Sequence, residues 1–423
     1  MKSLIPCLLS LMLVVLPAAA QTITLSTADY TQVSGRVKDR HTRRVLENVN
    51  IQLQGTSIGT VTNADGRFTL KIPLDAERPT LLLSHLGYQT LQLPATGLAP
   101  GSDLLLTPQS LQLAEVVVQP IDAQQVVTEA VSRLSANYYP HRSMSTTFYR
   151  ETVRKRRKYI TVSEAVAQLY KEEYRSNLQR DRVRLLKGRR LVSPRSGDTL
   201  AVKLEGGPTL ALEMDLAKNP GVVLSPDYLL FYRYQLTDYV LIDDRLCYAI
   251  HFEPRVHLPE EPLYSGTLYI DCQELSFSRI AFSLDLSDRD LVTRLILRRK
   301  PAGLRFRPQE LSYLVTYRRD GQGGSYLHYV RAEIRFHCDW RRRLFSTGYT
   351  LVSEMVCTDR LLSPTETISS RQAFRSSQVL SDQAATGYDP AFWQQFNIIE
   401  PTQSLEEAAS RLRVAPGLQP QHR

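Results

Sequence analysis

Several local patterns in this chain carry residue types that chemistry uses. Gly55-Thr56-Ser57-Ile58-Gly59 spells the nucleophile elbow of serine hydrolases, in which a sharp turn presents a serine hydroxyl. His257-Leu258-Pro259-Glu260 sets an imidazole and a carboxylate three positions apart, a spacing that can bring two zinc ligands together. Asn63-Ala64-Asp65-Gly66 has the oxygen donors and glycine of a calcium loop. Basic residues cluster at Arg154–Lys158, alternate at Arg180, Arg182 and Arg184, and recur at Arg298-Arg299-Lys300 and Arg341-Arg342-Arg343. Aromatics gather at Tyr228, Phe231, Tyr232, Tyr234 and Tyr239.

The surroundings of each pattern decide what it can do. An elbow needs a strand that turns sharply into a helix, whereas Thr60-Val61-Thr62 continues in strand-like residues, so a sandwich turn is expected. Pro254, Pro259 and Pro262 place the His/Glu pair in an extended loop, and no third ligand stands at a telling spacing. The Asn/Asp turn lacks the terminal bidentate Glu of a calcium loop. No phosphate-cradling glycine loop or dinucleotide fingerprint occurs. No catalytic, cofactor-binding or metal-ligating residue is therefore assigned, no cofactor is expected, and the chain reads as non-enzymatic.

Arginine remains the strongest functional clue. Its planar fork grips phosphate or carboxylate through two hydrogen bonds. The alternating set could align three guanidiniums along one strand face, and the bland counterpart is a solvated, solubilising surface. No nucleic-acid reading motif accompanies the charge, so a nucleic-acid partner is not expected. The aromatic group would cradle an acyl chain or glycan if it lined a curved sheet, and otherwise packs as core.

The elements around these residues begin with a leader. Met1-Lys2 is positive, Leu4 to Leu16 is apolar apart from Ser10, and Pro17-Ala18-Ala19-Ala20 supplies the small residues of a cleavage site. A signal peptide over 1–20, cut to leave Gln21 first, predicts export. The apolar run falls short of the roughly 20 residues a membrane span needs, and no later segment supplies one. The full chain has 423 residues, a net charge of +9, 23 Pro, 20 Gly and 21 Tyr, a composition that favours several β-rich units over one core. Past the leader stand Cys247, Cys272, Cys338 and Cys357. An oxidising envelope would permit two disulfides in any of three pairings, with buried thiols as the alternative.

From Ser34 to Leu93 the apolar pattern has period two. Val49, Ile51 and Leu53 face one way and Asn50, Gln52 and Gln54 the other. Asn63-Ala64-Asp65-Gly66 turns the chain before Phe68, Leu70 and Ile72 alternate inward, and Leu81-Leu82-Leu83 reads as a central strand. Short strands at this spacing predict an antiparallel sandwich. The run Gly35-x-Val37, Val49-x-Ile51, Gly55-Thr56, Gly59-Thr60-x-Thr62-Asn63-x-Asp65-Gly66-x-Phe68 and Gly87-Tyr88, closed by Leu113-Ala114-Glu115-Val116-Val117-Val118, resembles the carboxypeptidase-regulatory-like domain. That resemblance implies a transthyretin-like β-sandwich over 32–118, of a kind found in Bacteroidota envelope proteins, and implies no peptidase activity. Leu46 departs from the proline many members place before the second strand.

Asp122 to Tyr138 spaces Val126, Val127, Ala130, Val131 and Leu134 as one amphipathic helix, capped by Asp122 and ended by Tyr139-Pro140. Strands are then expected at Thr146–Glu151, Tyr159–Tyr174, Tyr232–Leu236, Tyr248–Phe252, Gly266–Asp271, Ile280–Leu284, Leu291–Arg298, Gln309–Tyr317, Tyr326–His337 and Thr350–Cys357. Asp320-Gly321-Gln322-Gly323-Gly324 separates two of them as a hairpin. Short loops between consecutive strands predict an antiparallel meander. Phe148-Tyr149-Arg150-Glu151, Phe231-Tyr232-Arg233-Tyr234, Gly266-x-Leu268-Tyr269-Ile270-Asp271 and Tyr388-Asp389-Pro390-x-Phe392-Trp393 with Asn397-Ile398-Ile399-Glu400-Pro401 resemble the non-barrel part of envelope proteins that carry such a domain. The Gly-x-Leu-Tyr-Ile-Asp strand also resembles the half-barrel of periplasmic lipoprotein carriers.

The expected fold is mainly β: the sandwich, a linking helix over 122–138, a larger curved, half-barrel-like antiparallel sheet over 144–362, and a connector, short helix and tail over 363–423. Ser404-Leu405-Glu406-Glu407 opens that helix with capping-box spacing. Many more strands would be needed for a membrane barrel, so a periplasmic or peripheral outer-membrane protein is expected. The expected role is binding a protein partner or an anionic lipid or glycan. A lipid or lipoprotein carrier and an unrecognised hydrolase are the alternatives.

Overall fold

The computed structural model describes residues 30–109, 121–175, 180–195, 203–204, 207–258, 260–261, 263–319, 321, 324–340, 346–376, 378, 380 and 389–414. The leader, the 113–118 closing motif and the end of the tail lie outside them.

Seven short strands build the first unit: β1 (Tyr30–Asp39), β2 (Asn50–Leu53), β3 (Gly59–Val61), β4 (Arg67–Pro73), β5 (Thr80–Ser84), β6 (Leu91–Pro94) and β7 (Ser102–Leu106). They form one sheet in the order β4-β1-β7 and another in the order β3-β2-β5-β6, so β5 is central as its three leucines suggest. The period-two pattern does the folding. Val49, Ile51, Leu53, Phe68, Leu70 and Ile72 are all buried between the sheets, each contributing about 1.5–3 kcal/mol relative to exposure. Gly66 takes φ 71° at its turn, where a Cβ would stand 2.7 Å from the Val37 carbonyl oxygen. One expectation needs correcting: β7 runs parallel to β1. It arrives from the other sheet rather than from a neighbouring hairpin, so it enters in β1's direction.

Helices α1 (Ala123–Ser132) and α2 (Leu134–Asn137) follow. Asp122 caps α1 as expected, its carboxylate accepting from the Gln124 and Gln125 amides. The single helix expected here is split at Arg133, which leaves helical geometry (φ −92°, ψ 1°). Next come β8 (Ser143–Lys155), β9 (Lys158–Lys171), β10 (Arg182–Val192), β11 (Lys203–Leu204), α3 (Pro208–Glu213), β12 (Tyr232–Ile242), β13 (Arg245–Pro254), β14 (Tyr264–Asp271) and β15 (Phe277–Leu284). The chain continues through α4 (Arg289–Ile296), β16 (Leu297–Arg299), β17 (Leu304–Arg319), β18 (Ser325–Trp340), β19 (Thr347–Leu362), α5 (Pro390–Trp393), α6 (Gln403–Ala409) and β20 (Arg413–Val414).

The large sheet is open and antiparallel, ordered β12-β13-β14-β15-β17-β18-β19-β8-β9-β10-β20. The meander from β12 to β19 is thus completed by the earlier strands β8 to β10, which add to the last strand. Helices α1, α2 and α3 cover one face, where Val127, Tyr138, Ala211 and Leu212 join Tyr149, Ile250, Leu268, Ile280 and Val315 in a single cluster. On the opposite face Phe148, Val166, Tyr329 and Val356 pack against Val61 of the sandwich, Trp393 and Ile399. No helix among the described residues is long and apolar enough to cross a membrane.

Two local assignments change. Residues 291–298, expected as a strand, are largely α4. Asp288 caps it by accepting from the Asp290 and Leu291 amides, and Leu291, Val292 and Ile296 form one buried face. The C-terminal helix is capped by Thr402, whose hydroxyl accepts from the Leu405 amide, and Ser404 lies inside the first turn. Thr402 follows Pro401 in extended geometry, which is where an N-cap belongs.

Candidate functional site

The β8–β9 hairpin turns through Arg156 and Arg157, with Arg156 at φ 57° and its amide held by the Gly348 carbonyl at 2.8 Å. A bulge between Val153 and Arg154 sets Arg154 opposite Tyr159, its guanidinium 5.7 Å from the ring centroid. Beside this turn the chain leaves β10 through Ser193, Pro194 and Arg195, and α6 with the turn that follows it closes the third side through Ser404, Glu407 and Arg411. Together they enclose a cleft of about 640 Å³.

Five cations line it, from three separate parts of the chain: Arg154, Arg157, Lys158, Arg195 and Arg411. The one carboxylate is Glu407, which already accepts from the Gln403 amide at 3.0 Å. Among the described residues none of the five cations forms an ion pair with a carboxylate, although other cations do so across the molecule. Arg157, Lys158, Arg195 and Arg411 are exposed. Such an array can take an oxyanion by charge-assisted, partly bidentate hydrogen bonding.

Two buried ionic networks hold the strands that carry this cleft. Glu164 of β9 accepts from Arg150 Nε and Arg189 Nε, each at 2.6 Å. Burial opposes its ionisation, but the two guanidiniums outweigh burial and hold its carboxyl below the usual range. Arg150 also donates to the Ile399 carbonyl at 2.7 Å. At the far end of β9, Lys171 bridges Asp181 and Asp215, the latter at 2.6 Å, and Tyr174 donates to Asp215 at 2.9 Å. Burial disfavours the Lys171 charge, yet its two carboxylates raise its pKa. Sequence reasoning missed both networks. Their signal was a lone Glu164 inside an otherwise strand-like apolar run.

The other candidates fall elsewhere. Ser57 lies in the β2–β3 turn and donates to Asp359 Oδ1 at 2.7 Å and to the Arg360 carbonyl at 3.0 Å. His257 and Glu260 sit beyond β13, Pro259 and Pro262 lie outside the described residues, and no cluster of metal-holding side chains occurs among those described. Asn63 caps its own turn and donates to the Glu400 and Pro401 carbonyls. Arg182 and Arg184 do share a strand face, but Arg182 donates to the Ile368 carbonyl and Arg184 to Gln168, which leaves exposed Arg180. Arg299 is exposed, Lys300 donates to the Leu304 carbonyl, and 341–343 lie outside the described residues.

Tyr228, Phe231, Tyr232 and Tyr234 pack against the helix-covered core, with Tyr232 stacked edge-on to Phe252 at 5.4 Å. Tyr239 pairs with Tyr248 instead. The four cysteines past the leader are free thiols, and Cys247, Cys338 and Cys357 are buried. Burial pushes the Cys247 thiol up to about 12.

No curated protein matches the chain. Among solved structures, a putative outer membrane lipoprotein-sorting protein domain from Vibrio parahaemolyticus aligns over 58% of this chain and 95% of its own, with 9% identity and a TM-score of 0.29. A DUF1329 family protein from Desulfovibrio piger covers 58% and 96%, with 10% identity and a TM-score of 0.26. A LolA superfamily protein from Nitrosomonas europaea covers 58% and 96%, with 13% identity and a TM-score of 0.20. Residues 33–118, the sandwich whose two sheets are described above, match the family model of the CarboxypepD_reg-like domain.

Proposed function

We propose that this chain is a non-enzymatic protein of the cell envelope that binds a phosphate-bearing envelope lipid or glycan through the basic cleft. The sandwich serves as the platform on which the large sheet is presented. One observation carries this reading: five cations without carboxylate partners among the described residues converge on one cleft from the β8–β9 hairpin, the β10 exit and the turn after α6. Export is supported by the signal-peptide pattern of Met1–Ala20, and an envelope setting by the match at residues 33–118. Occupation of one sheet face by α1, α2 and α3 favours surface binding over a carrier, which needs that face as an apolar lumen.

Vesicle sedimentation tests the proposal. The protein is expected to pellet with phosphatidylglycerol vesicles at low salt and to be released as salt rises, because exposed charges are screened. Arg157→Glu and Arg411→Glu are each expected to weaken binding about tenfold, the loss of one charge-assisted contact. Equal binding to phosphatidylcholine vesicles, or binding indifferent to both substitutions, would overturn it.

A further inference from the structure

The sandwich and the large sheet line a second pocket, far smaller than the basic cleft, at about 60 Å³. By the space a water needs, it holds about four waters, the size of one tetrahedral oxyanion. Asn50 and His85 line it from the sandwich, Asp243 from the β12–β13 turn, and Arg279, Arg318 and His328 from β15, β17 and β18.

The backbone is bent to build this pocket. Thr316 pairs with Tyr329 and Tyr317 with Leu327, so His328 is the extra residue of a bulge in β18. Tyr269 pairs with Arg279 and Ile270 with Phe277, so Ser278 is the extra residue of a second bulge, in β15. Both bulge residues line the pocket. Bulges of this kind re-aim a side chain at the expense of the ladder.

The β18 bulge aims an unsatisfied ring, while Ser278 pairs with the Cys247 thiol. His328 is 5% exposed, and neither ring nitrogen has a partner. Arg279 Nε, Arg318 Nε and Asn50 Oδ1 are likewise buried without a partner. Arg318 uses one terminal nitrogen on Gln52, and Arg279 forms no ion pair with a described carboxylate, although burial lowers its pKa. Burial and Arg318 together hold His328 well below the usual histidine range, so its ring is neutral near pH 7 and offers one N–H. Two guanidiniums against the one carboxylate of Asp243 leave the wall net positive. The buried donors among these, Arg279 Nε, Arg318 Nε and the His328 N–H, call for an acceptor.

We propose that this pocket binds a single phosphate-sized oxyanion, gripped by Arg279, Arg318 and the His328 N–H, and that its occupancy locks the sandwich against the sheet. A neighbouring cleft of about 550 Å³ shares Asp243, Ser278 and Arg318 with the pocket and gives a route to it. That route suits either free phosphate or the phosphate of a larger monoester.

Calorimetry with inorganic phosphate on the whole protein is the test, with thermal unfolding alongside. A saturable site that depends on Arg279 and His328 is expected, separable from any phosphate held by the basic cleft, with the folding constant rising about 100-fold at 100 times its Kd. Arg279→Gln and His328→Phe are expected to abolish this site and its stabilisation, while Arg233→Gln, at an exposed ion pair that lines neither the pocket nor the basic cleft, leaves both intact. Should those variants fold poorly, Arg279→Lys and the ¹⁵N ring shifts of His328 in the unaltered protein supply the readout: phosphate moves the ring signals, and the lysine variant binds more weakly. Glycerol 2-phosphate competing with phosphate identifies a monoester-accessible site, and failure to compete restricts it to the free anion. Absence of a saturable site, or one unaffected by changing Arg279 and His328, overturns the proposal.

Discussion

Ser57 Oγ donates to Asp359 Oδ1 at 2.7 Å, joining residues 302 positions apart in the chain. The serine with the most enzyme-like sequence context thus bolts the sandwich to β19. It also receives the Arg360 amide at 3.0 Å. Ser57→Ala is expected to cost about 0.5–1.5 kcal/mol in denaturant unfolding, the net worth of a partly exposed hydrogen bond. A serine-reactive fluorophosphonate is expected to leave Ser57 unlabelled by mass spectrometry.

Asp215 is fully buried between Lys171 and Tyr174. Asp215→Ala is expected to lower unfolding free energy by about 3 kcal/mol, because a buried ammonium loses one of its two counter-charges. The exposed pair of Arg233 and Glu253, 3.3 Å apart, is the control. Arg233→Ala is expected to change stability by less than about 0.5 kcal/mol.

The pH dependence has a defined sign. Glu164 has a folded pKa below its unfolded value, so its contribution is present above about pH 4.3 and is lost as pH falls through the lower folded value. Burial, with Arg279 adding to it, lowers His85 to about 4, so the unfolded chain binds more protons between about 6.5 and 4. Stability therefore falls as pH drops through that window. Urea midpoints measured from pH 7 to 4 are expected to decline, and His85→Gln is expected to flatten the upper part of the slope.

Gly266 sits in β14 between two paired strands, where a Cβ would lie 2.1 Å from the Ala281 carbonyl oxygen and 2.6 Å from Phe282 Cα. Neither obstacle is a flexible side-chain end. Gly266→Ala is expected to destabilise by about 1–3 kcal/mol through forced backbone shifts, read as a lower urea midpoint.

Period-two alternation made the sandwich legible, since Val49, Ile51 and Leu53 have nowhere to go but inward. The same logic located β13, β14 and β15. It failed at 291–298, where Leu291, Val292 and Ile296 suit a strand or a short helix equally and only the Asp288 cap decides. The Arg154–Lys158 run was visible as charge, but its meaning depends on Arg195 and Arg411, which only the tertiary fold brings beside it. The His328 pocket was invisible for a stronger reason. Two register slips create it, and a bulge only shifts the phase of the alternation without naming the partner strand or the side chain it re-aims.

The strap formed by residues 393–401 has a consequence for the order of assembly. Carbonyls of this segment are held by Lys71 and Asn63 from the sandwich and by Arg150 from the sheet, while Asn397 accepts from the Lys71 amide. A chain emerging N-terminus first makes the sandwich early, yet the strap comes nearly last. The first unit to fold is thus fastened in stages, to residues 241–244, Arg318 and Asp359 as the sheet forms and to the strap only when about nine-tenths of the chain has been delivered. Trp393 and Ile399 are buried in the cluster shared by sandwich and sheet, so hydrogen exchange along 393–401 reports the opening of that joint.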